Sequence, residues 1–182
     1  MDDSLRYPAG RFVPPTGPLA PADIESAIAE IEALPDALRA AVAGLSEAQA
    51  DTPYRPGGWT VRQVAHHVGD SHMHAFLRFK WALTEDAPAI LAYDEAACAR
   101  LADALLPASV TLALLTPLHT RWTAVMRAME PDDWARLFVH PDNGPTRLDR
   151  AAAMYAWHGR HHLAHVRLVS GRRAVSLRAP DG

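Results

Sequence analysis

Residues 158–167 read HGRHHLAHVR and contain four of the ten histidines of the chain. In a helix, residues four apart lie on the same face, so His158 pairs with His162 and His161 pairs with His165. Two imidazoles at this spacing can hold a transition-metal ion when a third ligand comes from elsewhere. A second group of histidines about ninety residues upstream offers that ligand: His66, His67, His72 and His74. A metal site between two helices requires that the two segments meet; the alternative is that these histidines are surface or core residues, each hydrogen-bonded to a neighbour.

The composition is that of a soluble globular protein. Of 182 residues, 49% are hydrophobic and 21% are charged, and the chain is long enough to bury a core. The net charge of −3 indicates no basic surface for nucleic acid. No apolar run approaches the roughly 20 residues that cross a bilayer, and the acidic N-terminus does not resemble a signal peptide. We expect one domain over residues 1–182 in the cytoplasm, since the single Cys98 suits a reducing compartment.

Four stretches of helical periodicity predict the fold class. The first runs from Pro21 to Gly44, with a kink or short break expected at Leu34-Pro35. The second begins at a capping box, Thr60 to Gln63, which Trp59 and Val64 would close as a hydrophobic staple. The other helices are expected from about Ser109 to Met129 and from about Asp149 to Gly171, a natural helix-ending residue. We therefore predict an all-α four-helix bundle with long irregular connections.

The segments between and beyond these helices lack that periodicity. Residues 1–20 are expected to form an extended arm, and residues 172–182 a solvated tail. A short helix is expected around 95–105. The turn residues 142–145 indicate a small hairpin within 137–147.

Periodicity alone leaves the ligand set open. Both histidine pairs of the last helix share a face with apolar residues, and either His66 or His67 can be the partner on the second helix. Asp70, one turn from either, can orient a ligand imidazole or be a plain surface carboxylate. His119 lies on the apolar stripe of the third helix, where we expect a core histidine.

Longer stretches of the chain resemble the DinB/YfiT family. Residues 54–83, YRPGGWTVRQVAHHVGDSHMHAFLRFKWAL, are similar to its first signature, and residues 155–165, YAWHGRHHLAH, to its second. Residues 83–95, 118–122 and 140–144 resemble the YfiT branch. The similarity extends over nearly the whole chain, with the motifs in the expected order.

This resemblance implies a four-helix bundle in which three histidines hold a divalent metal, zinc or nickel. The ligands that it implies are His67, His158 and His162, which leave coordination positions open for water or substrate. Cys98 departs from the pattern, because the YfiT branch is expected to have a tryptophan there. We interpret Cys98 as a buried, inert cysteine.

The resemblance also implies an activity. Members of the YfiT branch resemble thiol S-transferases that join a low-molecular-weight thiol, bacillithiol, to electrophiles, with the thiolate bound to the metal. One alternative is a hydrolase that uses metal-bound hydroxide on an amide or ester. Another is a non-catalytic metal-binding stress protein. Family similarity also suggests a homodimer.

Other residues near the ligands are candidates for supporting roles. Arg78 and Arg160 can bind carboxylates of the thiol cofactor, because a guanidinium matches a carboxylate with two hydrogen bonds. Candidates for moving protons or contacting substrate are Asp70, His74, Tyr155 and His161.

Overall fold

The computed structural model describes residues 3–176, with side chains up to Gly171. The elements, in chain order, are α1 (Pro21–Val42), α2 (Glu47–Ala50), α3 (Val61–Thr84), α4 (Glu95–Cys98), α5 (Ala108–Arg127), β1 (Leu137–His140), β2 (Gly144–Arg147) and α6 (Leu148–Ser176). Short 3-10 helices cover Ala102–Leu105 and Asp133–Ala135. The strands β1 and β2 pair antiparallel as the expected hairpin.

The predicted four-helix bundle is confirmed. The long helix α1 packs against α5 and α6, and α3 packs against the same two helices. Consequently α1 and α3 occupy opposite corners of the bundle, although they follow one another as long helices in the chain. No helix among residues 3–176 combines the length and apolar character that a membrane span needs.

The start of α3 follows from local sequence. The Thr60 side chain accepts a hydrogen bond from the Gln63 backbone N–H at 3.1 Å, and the Gln63 side chain accepts one from the Thr60 N–H at 3.0 Å. This is the predicted capping box, and it satisfies two N–H groups that a helix start leaves unpaired. Trp59 and Val64 pack in the same apolar cluster. These contacts therefore determine where α3 begins, and so which face of the helix carries His67.

Two expectations about the long helices need correction, the break in α1 and the end of α6 at Gly171. Helix α1 is unbroken and contains the buried Pro35, so the expected break does not occur. Gly44, with φ of 75°, has the left-handed backbone that glycine favours after a helix. Gly171 does not have a positive φ, and α6 continues through it to Ser176. The predicted tail is thus helical at 172–176, and residues 177–182 lie outside the described part of the chain.

The apolar core has two halves. One half contains Ile28, Phe79 and Trp122, and the other contains Leu38, Val64 and Leu115. Between them, buried histidines from three helices form a polar layer across the bundle: His67, His72, His119, His162 and His165. The fold therefore places most of the chain's buried imidazoles at one level of the bundle.

The N-terminal arm lies along α6. Residues 3–20 form neither helix nor strand. The Trp157 indole N–H donates to the Gly10 carbonyl at 3.1 Å, and the Leu19 N–H donates to the Asp149 carboxylate at 3.2 Å. The arm is thus attached to α6 near its middle and at its C-terminal end.

Candidate metal centre

At the histidine layer, two of its members and the half-buried His158 form a group of three imidazoles. His67 from α3 and His158 and His162 from α6 each have a ring nitrogen within 4.8 Å of the others. The Nε2 atoms of His67 and His158 lie 3.1 Å apart. The Trp59 ring, with its centroid 4.7 Å from that of His67, covers one side of the group. These are the three histidines that the family resemblance implies as ligands.

The three residues fit a divalent metal ion. Two nitrogens bound to one tetrahedral ion, each at about 2.0–2.1 Å from it, lie roughly 3.4 Å apart, close to the separation of His67 and His158. Imidazole nitrogens suit zinc, nickel and related transition metals. Three protein ligands leave positions open, as catalytic metal sites require.

Burial keeps these imidazoles neutral. Removal from water, with a smaller effect from His161, lowers the pKa of His67 to about 4. The pKa values of His158 and His162 lie well below the ordinary range, again because of burial first and neighbouring histidines second. A metal ligand must be deprotonated, so these rings can bind an ion near neutral pH without losing a proton first.

Two chains of hydrogen-bonded histidines extend outward from the group of three, one from His158 and one from His162. From His158, the first runs through His72 (Nδ1 of His158 to Nε2 of His72, 3.2 Å) to His119 (Nδ1 of His72 to Nε2 of His119, 3.0 Å). It ends where His119 Nδ1 donates to the Ile31 carbonyl at 2.5 Å.

The second chain is shorter. The Nδ1 atoms of His162 and His165 lie 3.4 Å apart, and His165 Nε2 donates to the Arg6 carbonyl of the arm at 3.2 Å. The ring of Tyr54 stacks on His165, with centroids 3.8 Å apart. Neither chain includes His66, whose nitrogens contact the Thr111 hydroxyl at 2.6 Å and the Leu106 carbonyl at 2.8 Å.

Two cavities meet at the candidate ligands. The first, of about 420 Å³, is lined by the three histidines and by rings and cations from the arm, the loop before α3 and α6, among them Arg6, Tyr7, Tyr54, Arg55, Trp59 and Trp157. The second, of about 610 Å³, extends from His158 toward the hairpin, and its lining includes Ser71, Arg78, Tyr93, His140, Arg150 and Tyr155. Two residues, Glu95 and His158, line both cavities.

Glu95 is the acidic residue at this junction. It is the first residue of α4. Its side chain is exposed, yet the protein on one side removes part of its water, which raises the pKa of the carboxyl, and the nearby Arg78 lowers it to a lesser extent. A carboxyl with a raised pKa at the edge of a cavity is a typical proton acceptor in catalysis.

The structure places some of the other sequence candidates at these cavities. The Arg78 guanidinium donates to the Tyr155 hydroxyl at 2.9 Å and to the Leu91 carbonyl at 3.2 Å, so both side chains are held rigidly in the wall of the second cavity. His161 lines the first cavity and stacks on Trp157, with centroids 4.7 Å apart.

Other candidates lie elsewhere. The exposed Arg160 pairs with Glu30 of α1, and so is turned away from both cavities. His74 stacks on Tyr93. Asp70 is half-buried, and burial followed by the charge of Asp103 raises its pKa. Neither His74 nor Asp70 belongs to the described lining of either cavity.

Several residues of the site were not among those that the sequence predicted. Arg6, Tyr7 and Glu95 come from the arm and from the irregular stretch before α5, where no periodicity indicates which side chains point inward. Tyr54 and Arg55 fall in the turn-rich stretch before α3. Their position just before the helix that carries His67 was the available signal.

The fold and the site identify the class of protein as a four-helix bundle with a buried three-histidine centre. The profile of the DinB superfamily matches residues 12–166, and the chain belongs to this superfamily. A relative from Bacillus cereus strain AH820 is 50% identical over 166 residues, covering 91% of this chain and 95% of the relative. Another from Bacillus mycoides is 49% identical over 162 residues, covering 89% and 93%. Both are named as candidate metal-dependent hydrolases.

Solved structures agree with this assignment. YfiT from Bacillus subtilis, described as a candidate metal-dependent hydrolase with an unusual four-helix bundle topology, superposes with a TM-score of 0.90 at 43% identity and covers 94% of this chain and 98% of its own. The four-helix bundle protein TT2238 matches with a TM-score of 0.54 at 21% identity over 85% of this chain and 98% of its own, and shares the fold. The histidine cluster and these relatives together support a metal-dependent function.

Proposed function

We propose that this protein is a metal-dependent thiol S-transferase that joins a low-molecular-weight thiol to an electrophile. The single observation that carries the proposal is the meeting of two cavities at His158 and Glu95. A transferase must hold two substrates with their reacting atoms in contact, whereas hydrolysis needs one organic substrate and water. Two cavities that share a candidate ligand and a carboxylate match the first requirement.

A metal ion at the three histidines would activate the thiol by favouring its deprotonated form. The residues that would hold the ion are His67, His158 and His162, and a bound divalent ion lowers the pKa of a thiol that it binds. The Trp59 ring packs beside two of them, with its centroid 4.7 Å from that of His67 and 6.4 Å from that of His162. The neutral, buried imidazoles add no charge of their own, so they leave the full charge of the ion to act on the thiol.

Cationic side chains in both cavities can bind an acidic cofactor. Arg6 and Arg55 line the first cavity, and Arg78 and Arg150 line the second. A guanidinium binds a carboxylate with two parallel hydrogen bonds. We propose a carboxylate-bearing thiol, bacillithiol being the one that the family resemblance implies, as the cofactor.

The reaction is a displacement at carbon. The sulfur forms a bond to the electrophilic carbon, the leaving group departs with the electron pair of its own bond, and the thiol proton is transferred to a base. Glu95 lies where both cavities meet and is the residue that we propose as that base. Tyr155, fixed by Arg78, presents a hydroxyl toward the second substrate.

The test compares thiols directly. Zinc- or nickel-loaded protein is mixed with monochlorobimane and with bacillithiol, glutathione, cysteine or no thiol, and the fluorescent conjugate is measured above the uncatalysed rate. We expect acceleration with one small thiol and none with His158→Ala. Equal rates with the wild type and with that variant would contradict the proposal.

Hydrolysis is the second candidate, and the names of the relatives favour it. The same three histidines and Glu95 would then act on water and an ester or amide. A panel of chromogenic esters and amides, assayed without thiol, separates the two reactions. Metal-dependent turnover of that panel without conjugate formation would establish the hydrolase, and zinc binding with neither activity would indicate a binding protein.

A further inference from the structure

Two hydrogen-bonded chains of histidines each begin at a candidate metal ligand and end at a backbone carbonyl. The chain from His158 ends at the Ile31 carbonyl of α1, and the chain from His162 ends at the Arg6 carbonyl of the arm. A carbonyl oxygen can only accept a hydrogen bond, so each end determines where the hydrogens lie along its chain.

In the first chain the direction follows step by step. His119 must carry its hydrogen on Nδ1 to donate to Ile31, so its Nε2 is an acceptor when the ring is neutral. His72 then donates from Nδ1 to His119 and accepts at Nε2 from the Nδ1–H of His158. The Nε2 of His158 is left with a lone pair, and it is this atom that faces His67.

In the second chain the Arg6 carbonyl determines the hydrogen positions of two rings. His165 must carry its hydrogen on Nε2 to donate to Arg6, so its Nδ1 accepts from the Nδ1–H of His162. The Nε2 of His162 is left with the lone pair. Both ligands on α6 therefore keep their free lone pair on Nε2, the nitrogen that is not used in the chains.

The surroundings favour neutral rings in both chains. His72, His119 and His165 are 0%, 2% and 1% exposed. No carboxylate among the described residues forms a hydrogen bond with any ring of either chain. A buried charge without a partner is costly, whereas neutral His72, His119 and His165 each have both nitrogens satisfied.

We propose that His72, His119 and His165 are positioning residues that hold His158 and His162 in the Nδ1–H tautomer, with Nε2 directed at the metal ion. Such outer hydrogen bonds orient a ligand ring and fix which nitrogen binds. The inference rests on the three-histidine site of the proposed function and extends it to residues that do not touch the ion. It also makes the backbone of the N-terminal arm part of the support of the site.

The first test reads the tautomers directly. Long-range proton–nitrogen correlation spectra of the isotope-labelled full-length protein, with and without zinc, report which ring nitrogen carries hydrogen. We expect hydrogen on Nδ1 of His72, His119 and His158, and on Nε2 of His165. Hydrogen on Nε2 of His72 would reverse the first chain and overturn the proposal.

The second test measures zinc affinity by competition with a chelator. His119→Phe removes both hydrogen bonds of the ring two steps from the metal, and we expect affinity to fall about tenfold or more. His119→Gln keeps an acceptor for His72, and we expect it to restore most of the affinity. His66→Phe is the matched control, because His66 of α3 is also buried and has both nitrogens in hydrogen bonds but belongs to neither chain.

The outcomes separate this inference from the proposed function. Unchanged zinc affinity in a folded His119→Phe protein overturns the positioning role, even if the transferase activity is real. A wild type that binds no zinc removes the proposed function, while the spectra of the zinc-free protein still decide the direction of the chains. If His119→Phe does not fold, the tautomers of the wild type decide alone.

Discussion

The Nε2 atoms of His67 and His158 lie 3.1 Å apart, although 91 positions separate the two residues in the chain. They come from α3 and α6, which pack side by side in the bundle. The two nitrogens lie in a layer between the apolar halves of the core, so the packing of those halves sets the geometry of the site.

Removal of any of the three candidate ligands should abolish stoichiometric zinc binding. His67→Ala, His158→Ala and His162→Ala each take one nitrogen from a set of three, the number on which an open metal site depends. Equilibrium dialysis followed by metal analysis measures the loss. His161→Ala is the control, since His161 lies beside His162 on α6 and lines the cavity without belonging to the cluster. Loss of zinc in the control with retention in His162→Ala would reassign the ligands to the other helical frame.

Stability of the metal-free protein should fall as the pH falls from about 7 toward 4. Burial lowers the pKa of His119 to about 4, while an unfolded histidine titrates near 6.5. Between these values the unfolded state binds more protons, so the stabilisation is complete above the unfolded pKa and is lost as the pH approaches the folded pKa. This one residue accounts for a loss on the order of 2 kcal/mol at pH 5.

Urea unfolding at pH 7, 6 and 5 checks this expectation. His119→Gln should reduce the loss at pH 5 by about that amount, because this side chain no longer titrates while the other buried histidines still do. Thr123→Val is the control: its hydroxyl donates to the His119 carbonyl at 2.9 Å, so the variant should lower stability by a similar amount at every pH. A wild-type slope that persists in His119→Gln would show that other groups determine it.

Local sequence predicted the parts of the fold that local interactions determine. The start of α3 was predictable because Thr60 and Gln63 satisfy each other's backbone within one turn. The end of α6 was not, because Gly171 can either end a helix or continue one, and its own chemistry does not decide which.

The site was predictable only in part. Periodicity brought His158 and His162 to one face, but the choice of His67 over His66 came from the family resemblance, since both are buried. Glu95 and Arg6 could not be predicted, because the paths of the arm and of the irregular stretch before α5 depend on tertiary contacts. The direction of the histidine chains depends on which ring nitrogens meet, a property that appears only in three dimensions.

Gly159→Ala should destabilise the protein by about 1–3 kcal/mol. A Cβ at this position would lie 2.7 Å from Cδ2 of Leu34, which is buried where α1 meets α6. The free energy of unfolding measures the cost. Combination with Leu34→Ala should be less destabilising than the sum of the two changes, by about 1 kcal/mol or more, because the added methyl occupies the vacated space.

A second glycine of α6 provides the control for that experiment. Nothing lies within 4 Å of a Cβ built at Gly171. Gly171→Ala should therefore raise stability by up to about 1 kcal/mol through helix propensity alone. The same substitution at two positions of α6 is thus expected to change the free energy of unfolding in opposite directions. Equal changes at both positions would contradict the close contact with Leu34.

Thr60→Ala should destabilise the protein by about 1 kcal/mol, since it removes the side-chain acceptor at the start of α3. Thr60→Ser keeps the hydroxyl and should retain most of the stability. Ser46→Ala removes the same type of cap from the four-residue α2, which buries no residue, and should have a smaller effect. Thermal unfolding ranks the three variants. A loss of stability in Ser46→Ala equal to that in Thr60→Ala would show that the effect of a cap does not depend on the length and burial of the helix that it begins.

Glu95→Gln should lower kcat for the conjugation of the thiol while leaving zinc affinity unchanged. The substitution keeps the size of the side chain but removes the group that we propose as the proton acceptor where the two cavities meet. Partial desolvation raises the pKa of this carboxyl, so the acid limb of the wild-type pH–rate profile should lie above the ordinary titration of glutamate. That limb should disappear in the variant.

Asp142→Asn is the control, because Asp142 is an exposed carboxylate that lines the second cavity alone, and this variant should keep the wild-type pH–rate profile. A pH–rate profile that is unchanged in Glu95→Gln would assign the proton transfer to another group.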